Sequence, residues 1–426
     1  MRKHRLESVW AVLFILAGLQ GGFSGGASED SGFPFRNGDK IIVVGDSITV
    51  QGCYVRYLEN FLRTRFPTWK LFVRNAGING HTAQMGMPYF EYDILLWNPT
   101  LVIVNWGMND GRRKDGVDYY KTGIVPYVDK ILANKIKVVL CSNSPIDIGD
   151  PPGTYTDFNK NFYEMAEFAK ELASRKNIPF VDQFHFCHDL WGRNRQREKP
   201  IPVSNQTLVK YPSDSVHARG PGQLTMAYII LKTLHAPAEV SYASIDAGTG
   251  KIETRRCVIQ DFQALPEGKG ISFTRLDEAS PCWINNAGAP GLELVPFHAD
   301  LNRMTLQVTG LKEGRYALDV EGFRHGVFTN RQLADGINLS ENQLSPVCAP
   351  GREVAKRITD KEGPVWNLRN NVTFFYPPPW LTIVDLDAQK RAEVARRLPE
   401  IQKADERIAE AALPKPLRYT LKINPE

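Results

Sequence analysis

Four short blocks hold residue types suited to acyl-transfer chemistry. Gly45-Asp46-Ser47 follows the apolar run Ile41 to Val44 and precedes a stretch with helical spacing. A serine there lies at the carboxyl end of a strand, where α/β proteins hold ligands. Its backbone N–H sits near a helix N-terminus, which favours a developing negative charge. Asn75-Ala76-Gly77 ends the next strand-like run, and a glycine there lets the backbone approach a ligand and aim its N–H inward. Gly107-Met108-Asn109-Asp110 follows the apolar run Leu101 to Val104. The Asn109 amide can donate to an oxyanion, an interaction worth about 3 kcal/mol in known cases. Asp214-Ser215-Val216-His217 sets a carboxylate and an imidazole within one turn of backbone. The His can take a serine proton, and the Asp can hold the His in the right tautomer. Each block alone is commonplace, since Ser caps helices and Asn and Gly populate turns.

Together and in this order, Gly-Asp-Ser, Asn-x-Gly, Gly-x-Asn-Asp and Asp-x-x-His resemble the SGNH hydrolase family, the GDSL-like lipases and acylhydrolases. The resemblance spans roughly Lys40 to Pro237. It implies a three-layer αβα, flavodoxin-like domain with a parallel sheet. It also implies Ser47 as nucleophile, His217 as general base and Asp214 as the acid that orients it. The backbone N–H groups of Ser47 and Gly77 and the Asn109 side chain would form the oxyanion hole. Two positions depart from the family pattern: Ile48 stands where Leu often follows the Ser, and Ala218 where Pro often follows the His. Neither does chemistry, so the departures bear on the subfamily. The implied reaction is ester hydrolysis through an acyl-enzyme, with no cofactor and no metal. A metal reading of Asp46, Asp110 and His217 has no compact ligand motif behind it.

These blocks need a scaffold. Leu71 to Val73, Ile136 to Leu140 and Ile178 to Val181 read as further strands. Helical spacing runs over Tyr54 to Leu62, over Phe158 to Leu172, and over Pro221 to Leu234, where proline suits a helix start. The segment Tyr119 to Leu132 reads as a helix interrupted by Pro126. Strands separated by helices indicate a parallel sheet covered on both faces. After Pro237 short alternating segments such as Met304-Leu306-Val308 and Tyr316-Leu318-Val320 read as β-rich. A charged helical stretch follows from about Asp387 to Ala411, with Pro399 as a possible break. The expected division is a signal peptide over 1–28, a hydrolase domain over 36–237, a β-rich accessory region over 238–376 and a helical C-terminal segment over 377–426.

The N-terminus starts with Arg2, Lys3, His4 and Arg5 and continues into the apolar Val9 to Leu19 and the small-residue stretch Gly21 to Ser28. That is the order of a secretory signal peptide, so a periplasmic or extracellular location is expected. The run is too short for a comfortable membrane span. The six cysteines form no C-x-x-C pair, and an exported chain permits disulfides. Cys53 and Cys141 lie in segments that read as buried, which suits plain core thiols. A net charge of +5 over 426 residues gives no reason to expect nucleic-acid binding. Arg112-Arg113-Lys114 reads as a solvated loop.

The expected substrates are small-molecule or polysaccharide esters, acetylated carbohydrates first. A lipase or thioesterase acting on longer acyl chains is the enzymatic alternative, and a carbohydrate- or partner-binding protein with a vestigial hydrolase domain is the other. Tyr54, Trp106 and Trp191 could stack on sugars but read more readily as packing. Trp283, His298, His325 and Trp366 become candidates only if the region after Pro237 packs over the active-site face.

Overall fold

The structure is a computed structural model that describes residues 32–204, 214–266 and 269–424. The expected signal peptide lies outside the described residues.

The first five strands are β1 (Lys40–Gly45), β2 (Phe72–Asn75), β3 (Leu101–Asn105), β4 (Lys137–Cys141) and β5 (Phe180–Val181). They form one parallel sheet in the order β2-β1-β3-β4-β5. Residues 41–45 of β1 and all of β3 are buried. Successive side chains of a strand point to opposite faces, so both faces of the sheet are covered. On one face α1 (Ser47–Gln51) leads into α2 (Cys53–Arg65), which packs against the later α6 (Gly220–Thr233). A second packed pair is α3 (Gly116–Ala133) with α4 (Asp157–Lys176), and α5 (Gln183–Arg195) touches both α4 and α6. The chain leaves β1 toward β2 on one side and later returns to β3 on the other. This topological switch point lies at the carboxyl end of β1, directly before Ser47.

Helix α3 continues through Pro126 rather than breaking there. Proline removes one helix hydrogen bond and frees the carbonyl four residues earlier. Pro126 and Thr122 are both exposed, so water can satisfy that carbonyl.

The β-rich expectation after Pro237 corresponds to two further sheets. One has the order β13-β10-β6-β7, and the other β12-β11-β14-β9-β8. Their strands are β6 (Glu239–Asp246), β7 (Ile252–Arg255), β8 (Cys257–Ala264), β9 (Gly270–Asp277), β10 (Arg303–Thr309), β11 (Arg315–Val320), β12 (Phe323–Thr329), β13 (Ile337–Asn338) and β14 (Leu417–Asn424). Val240, Ile245, Leu306 and Val308 of the first sheet share one buried cluster with Phe273, Leu318, Tyr419 and Leu421 of the second, so the two form a sandwich. Strand β14 pairs with β11 and β9, so the C-terminal segment ends in the middle of a sheet and is not helical throughout.

Between β13 and β14 stand two long helices, α7 (Ala349–Leu368) and α8 (Leu386–Ala412). Helix α7 was not legible in the sequence. Helix α8 is unbroken at Pro399, which, like Ala395 four residues before it, faces solvent. Val394, Ile401 and Ile408 recur at seven-residue spacing and are buried, so the charged helix is amphipathic and packed. Both helices touch α2. The contact is tied by Lys361 to Glu59 at 2.5 Å and to Asp405 at 3.0 Å, and by a bidentate Arg56–Glu362 pair. Residues 35–426 form one compact unit.

All six cysteines are free thiols; Cys53 is half-buried and the other five are buried. Arg112, Arg113 and Lys114 are exposed, as expected of a solvated loop. Among the described residues no helix is long and apolar enough to cross a membrane.

Candidate active site

The site starts at the end of β1. A side chain on Gly45 would meet Thr49 Oγ1 at 2.2 Å and the Asn105 carbonyl at 2.6 Å, so only glycine fits. Asp46 then caps α1 by accepting from the Ile48 N–H at 3.0 Å, and its second oxygen accepts from the Met108 N–H at 3.2 Å. This single carboxylate joins the first and third sequence blocks. Burial pushes its pKa up to about 6 despite those donors. Ser47 follows as the first residue of α1. Gln223 of α6 holds α1 in place, donating to the Ile48 carbonyl at 3.3 Å and to Gln51 Oε1 at 2.9 Å.

Ser47 Oγ lies 2.8 Å from His217 Nε2, and His217 Nδ1 lies 2.6 Å from Asp214 Oδ2. Asp214 Oδ1 accepts from the backbone N–H groups of Val216 at 3.2 Å and His217 at 3.1 Å. The Asp-x-x-His spacing therefore closes on itself as a local turn that presents the imidazole. That turn is anchored to the rest of the domain at both ends. The Asp147 N–H donates to the Ser215 carbonyl at 2.9 Å, and Ala218 forms a β-bridge with Ser204. Asp147 also accepts from Ser204 Oγ at 2.6 Å and pairs with Arg195. The His217 and Asp214 side chains remain 28% and 41% exposed, which leaves the imidazole reachable from solvent.

Gly77 packs directly on α1. A Cβ there would lie 2.5 Å from the Val50 nitrogen and 2.8 Å from the Thr49 carbonyl carbon. The Gly77 N–H donates to Asn75 Oδ1 at 2.9 Å, while Asn75 Nδ2 donates to the Thr49 carbonyl at 2.6 Å. The Asn75 amide thus couples the glycine to the helix that begins at Ser47. Asn109 Nδ2 donates to the His81 carbonyl at 2.9 Å. A primary amide has two N–H groups, so this bond fixes the side chain and leaves one donor over.

Asp110, next to Asn109, is fully buried, and neither carboxylate oxygen has a protein partner among the described residues. Burial, with the nearby Asp46 carboxylate adding to it, pushes its pKa up to about 7. The aromatics weighed for sugar stacking, Tyr54, Trp106 and Trp191, are all buried. His325 is also buried and His298 is half-buried, and desolvation lowers the pKa of each to about 4. Trp283 is half-buried and lines a cavity of about 260 Å³ beside Arg56 and Arg352. Trp366 stands beside the Arg369 guanidinium at 5.6 Å. Sequence reasoning missed the tethering role of the Asn75 side chain, which lies within a recognised block, and missed Arg369, for which the sequence offers no signal.

Residues 43–209 match the model of the GDSL-like Lipase/Acylhydrolase family. An uncharacterized lipoprotein of Bacillus subtilis, YqeF, is 24% identical over 213 residues, covering 43% of this chain and 82% of the relative. Among solved structures, BT4096, a gut microbial diltiazem-metabolizing enzyme, superposes with a TM-score of 0.74 at 22% identity over 92% of this chain and 99% of its own. Axe2, an acetylxylan esterase from Geobacillus stearothermophilus, matches with a TM-score of 0.39 at 21% identity over 46% of this chain and 94% of its own. The parallel-sheet part of the chain is a hydrolase domain of the SGNH class. The family match covers residues 43–209, so it is this part of the chain that carries a GDSL-like lipase/acylhydrolase domain.

Proposed function

We propose that the chain is an exported serine esterase that removes short acyl groups, acetyl first, from carbohydrates through an acyl-enzyme. Residues 36–237 would be its catalytic part. Ser47 Oγ attacks the ester carbonyl while His217 Nε2 accepts its proton. Asp214 holds the imidazole by Nδ1 and stabilises its charged form. The oxyanion develops against the N–H of Ser47, the free amide N–H of Asn109 and the N–H of Gly77, which exchanges Asn75 Oδ1 for the oxyanion. The alcohol leaves with the proton from His217. Water, activated by the same imidazole, then releases the acid and restores the serine.

The observation that carries this reading is the unbroken chain from Asp214 through His217 to Ser47, at 2.6 Å and 2.8 Å. Export is supported by the signal-like order of the N-terminal sequence and by the naming of the Bacillus subtilis relative as a lipoprotein. A longer acyl group has one observation in its favour. Residues 375–384 expose Phe375, Tyr376, Trp380, Leu381 and Val384, and Trp380 is 81% exposed. This apolar stretch adjoins the site through the Tyr376–Tyr89 and Tyr89–His81 ring contacts, and His81 holds Asn109. An apolar surface of that kind suits an amphiphilic ester.

The test compares wild type with Ser47→Ala on p-nitrophenyl esters from acetate to a long acyl chain. Fast acetate cleavage that disappears in the variant, followed by acetate release from an acetylated polysaccharide, supports the proposal. A preference for long chains transfers it to the lipase reading. No Ser47-dependent turnover from a folded sample rejects both.

A further inference from the structure

The Gly77 backbone is held from behind by a residue of the C-terminal region. Helix α7 runs into a π-helical turn, Arg369–Thr373, and Arg369 is buried at its start. Its Nη1 donates to the Gly77 carbonyl, and its Nη2 donates to the Ala76 carbonyl at 3.2 Å and to Asp93 Oδ2 at 2.7 Å. Asp93 Oδ1 in turn accepts from Arg74 Nη2 at 2.7 Å. The Arg369 guanidinium lies 4.4 Å from the centre of the Phe374 ring. Two buried guanidiniums around one carboxylate leave a net positive charge of one behind these peptides.

The peptide between Ala76 and Gly77 carries the N–H read as an oxyanion donor, which in the free protein donates to Asn75 Oδ1 at 2.9 Å and would have to exchange that acceptor for the oxyanion. Its carbonyl end rests on Arg369. The next peptide is fixed at both ends, by Arg369 on the Gly77 carbonyl and by the Ile78 N–H on the Gly45 carbonyl at 2.8 Å. A cation on the carbonyl oxygen draws electron density out of the amide and makes its N–H a stronger donor, as hydrogen bonds in a chain polarise one another. In a site of low dielectric the same charge also favours an oxyanion formed on the far side of the peptide.

We infer that Arg369 is a positioning residue for the reaction, which fixes and polarises the Ala76–Gly77 peptide so that the Gly77 N–H binds the oxyanion. This rests on the reading of Gly77 as an oxyanion donor. The C-terminal helices thereby belong to the working esterase and are more than a support for α2. A residue that only satisfied two carbonyls would affect stability and leave the transition state untouched.

The experiment measures kcat and KM on p-nitrophenyl acetate and the Ki of phenylboronic acid, which forms a tetrahedral adduct on a reactive serine. Wild type, Arg369→Met and Arg369→Lys are compared in the full chain, with melting temperature as a check on folding. Arg369→Met is expected to lower kcat by about 10- to 100-fold, less than deletion of a direct oxyanion donor. KM should stay within about twofold, and the boronate Ki should rise in step with the loss of kcat. Arg369→Lys keeps the charge and should recover part of both. An unchanged kcat, or a lowered kcat with an unchanged boronate Ki, overturns the inference. Those outcomes can be read in Arg369→Lys alone if Arg369→Met does not fold. Wild type in which Ser47→Ala leaves turnover intact defeats the esterase mechanism itself, a result distinct from a failure of Arg369.

Discussion

His217 Nε2 lies 2.8 Å from Ser47 Oγ although 170 residues separate them in the chain. The serine is delivered by the end of β1, and the imidazole by a turn pinned through Asp147 and Ser204. On the proposed mechanism the two act as one unit, so their deletions should not add. Ser47→Ala and His217→Ala should each lower kcat by on the order of 10⁴- to 10⁶-fold, and the double variant should be no worse than the weaker single variant. Steady-state kinetics on an aryl acetate checks this. Multiplicative losses would mean that the two residues work independently.

Asn109 is clamped by its bond to the His81 carbonyl and keeps one amide hydrogen over. A donor used only when charge develops should be felt in kcat and not in KM. Asn109→Ala is expected to lower kcat by about 10²- to 10³-fold with KM nearly constant. A rise in KM at constant kcat would assign Asn109 to ground-state binding instead.

Sequence neighbours in this site could be paired from the chain itself, and the distant Ser47, Gly77, Asn109 and His217 were brought together by the family resemblance; long-range contacts outside those motifs were not legible. Ile41 to Val44 reads as a buried strand because a central parallel strand has no polar face. Asp214 and His217 could be paired because three residues of chain suffice to close them. Arg369 gave no signal. Its partners lie 292 and 293 residues earlier, and nothing in Trp366-Asn367-Leu368-Arg369 distinguishes it from a surface arginine. Helix α7 was obscured by Pro350, Gly351, Gly363 and Pro364. Gly351 is there because a Cβ would meet the Pro281 carbonyl at 2.6 Å, a packing demand that helix propensity does not encode. Pro126 and Pro399 misled in the opposite direction, since tolerance of a helical proline depends on whether the freed carbonyl faces water. Strand β14 was missed, since residues 377–426 were expected to be helical although Leu417, Tyr419 and Leu421 recur at period two.

Asp46 and Asp110 are both buried carboxyls, with pKa values of about 6 and about 7 against an ordinary 3.8. The folded state holds protons that the unfolded chain has already lost. Their contribution to stability is therefore complete below about pH 4 and is lost as pH rises through 6 and 7, at up to about 1.4 kcal/mol per pH unit for each group. Asp110→Asn keeps the shape and removes one titration. Its stability, followed by denaturant unfolding from pH 4 to pH 8, should fall less steeply with pH than that of wild type. Parallel curves would show that Asp110 does not carry the extra proton.

Lys361 is buried between Glu59 of α2 and Asp405 of α8, and its ammonium also donates to the Val73 carbonyl at 2.9 Å. Glu59 is buried too, and burial raises its pKa while Lys361 and Arg63 oppose the rise. Lys361→Met strips one cation from a dry cluster and leaves the glutamate short of compensation. Removal of one partner of a buried pair costs about 3–5 kcal/mol, whereas replacement of both by neutral groups of similar size is often close to neutral. The single variant should therefore lose several degrees of melting temperature, and Lys361→Met with Glu59→Gln should regain much of the loss. Because Val73 precedes the Asn75-Ala76-Gly77 block in β2, esterase activity per folded molecule reports whether the disturbance travels. Activity restored together with stability in the double variant means that the C-terminal helices need only dock on α2 for the block to be correctly set. Stability restored without activity means that the charge of Lys361 itself is needed to hold β2 in register with the site.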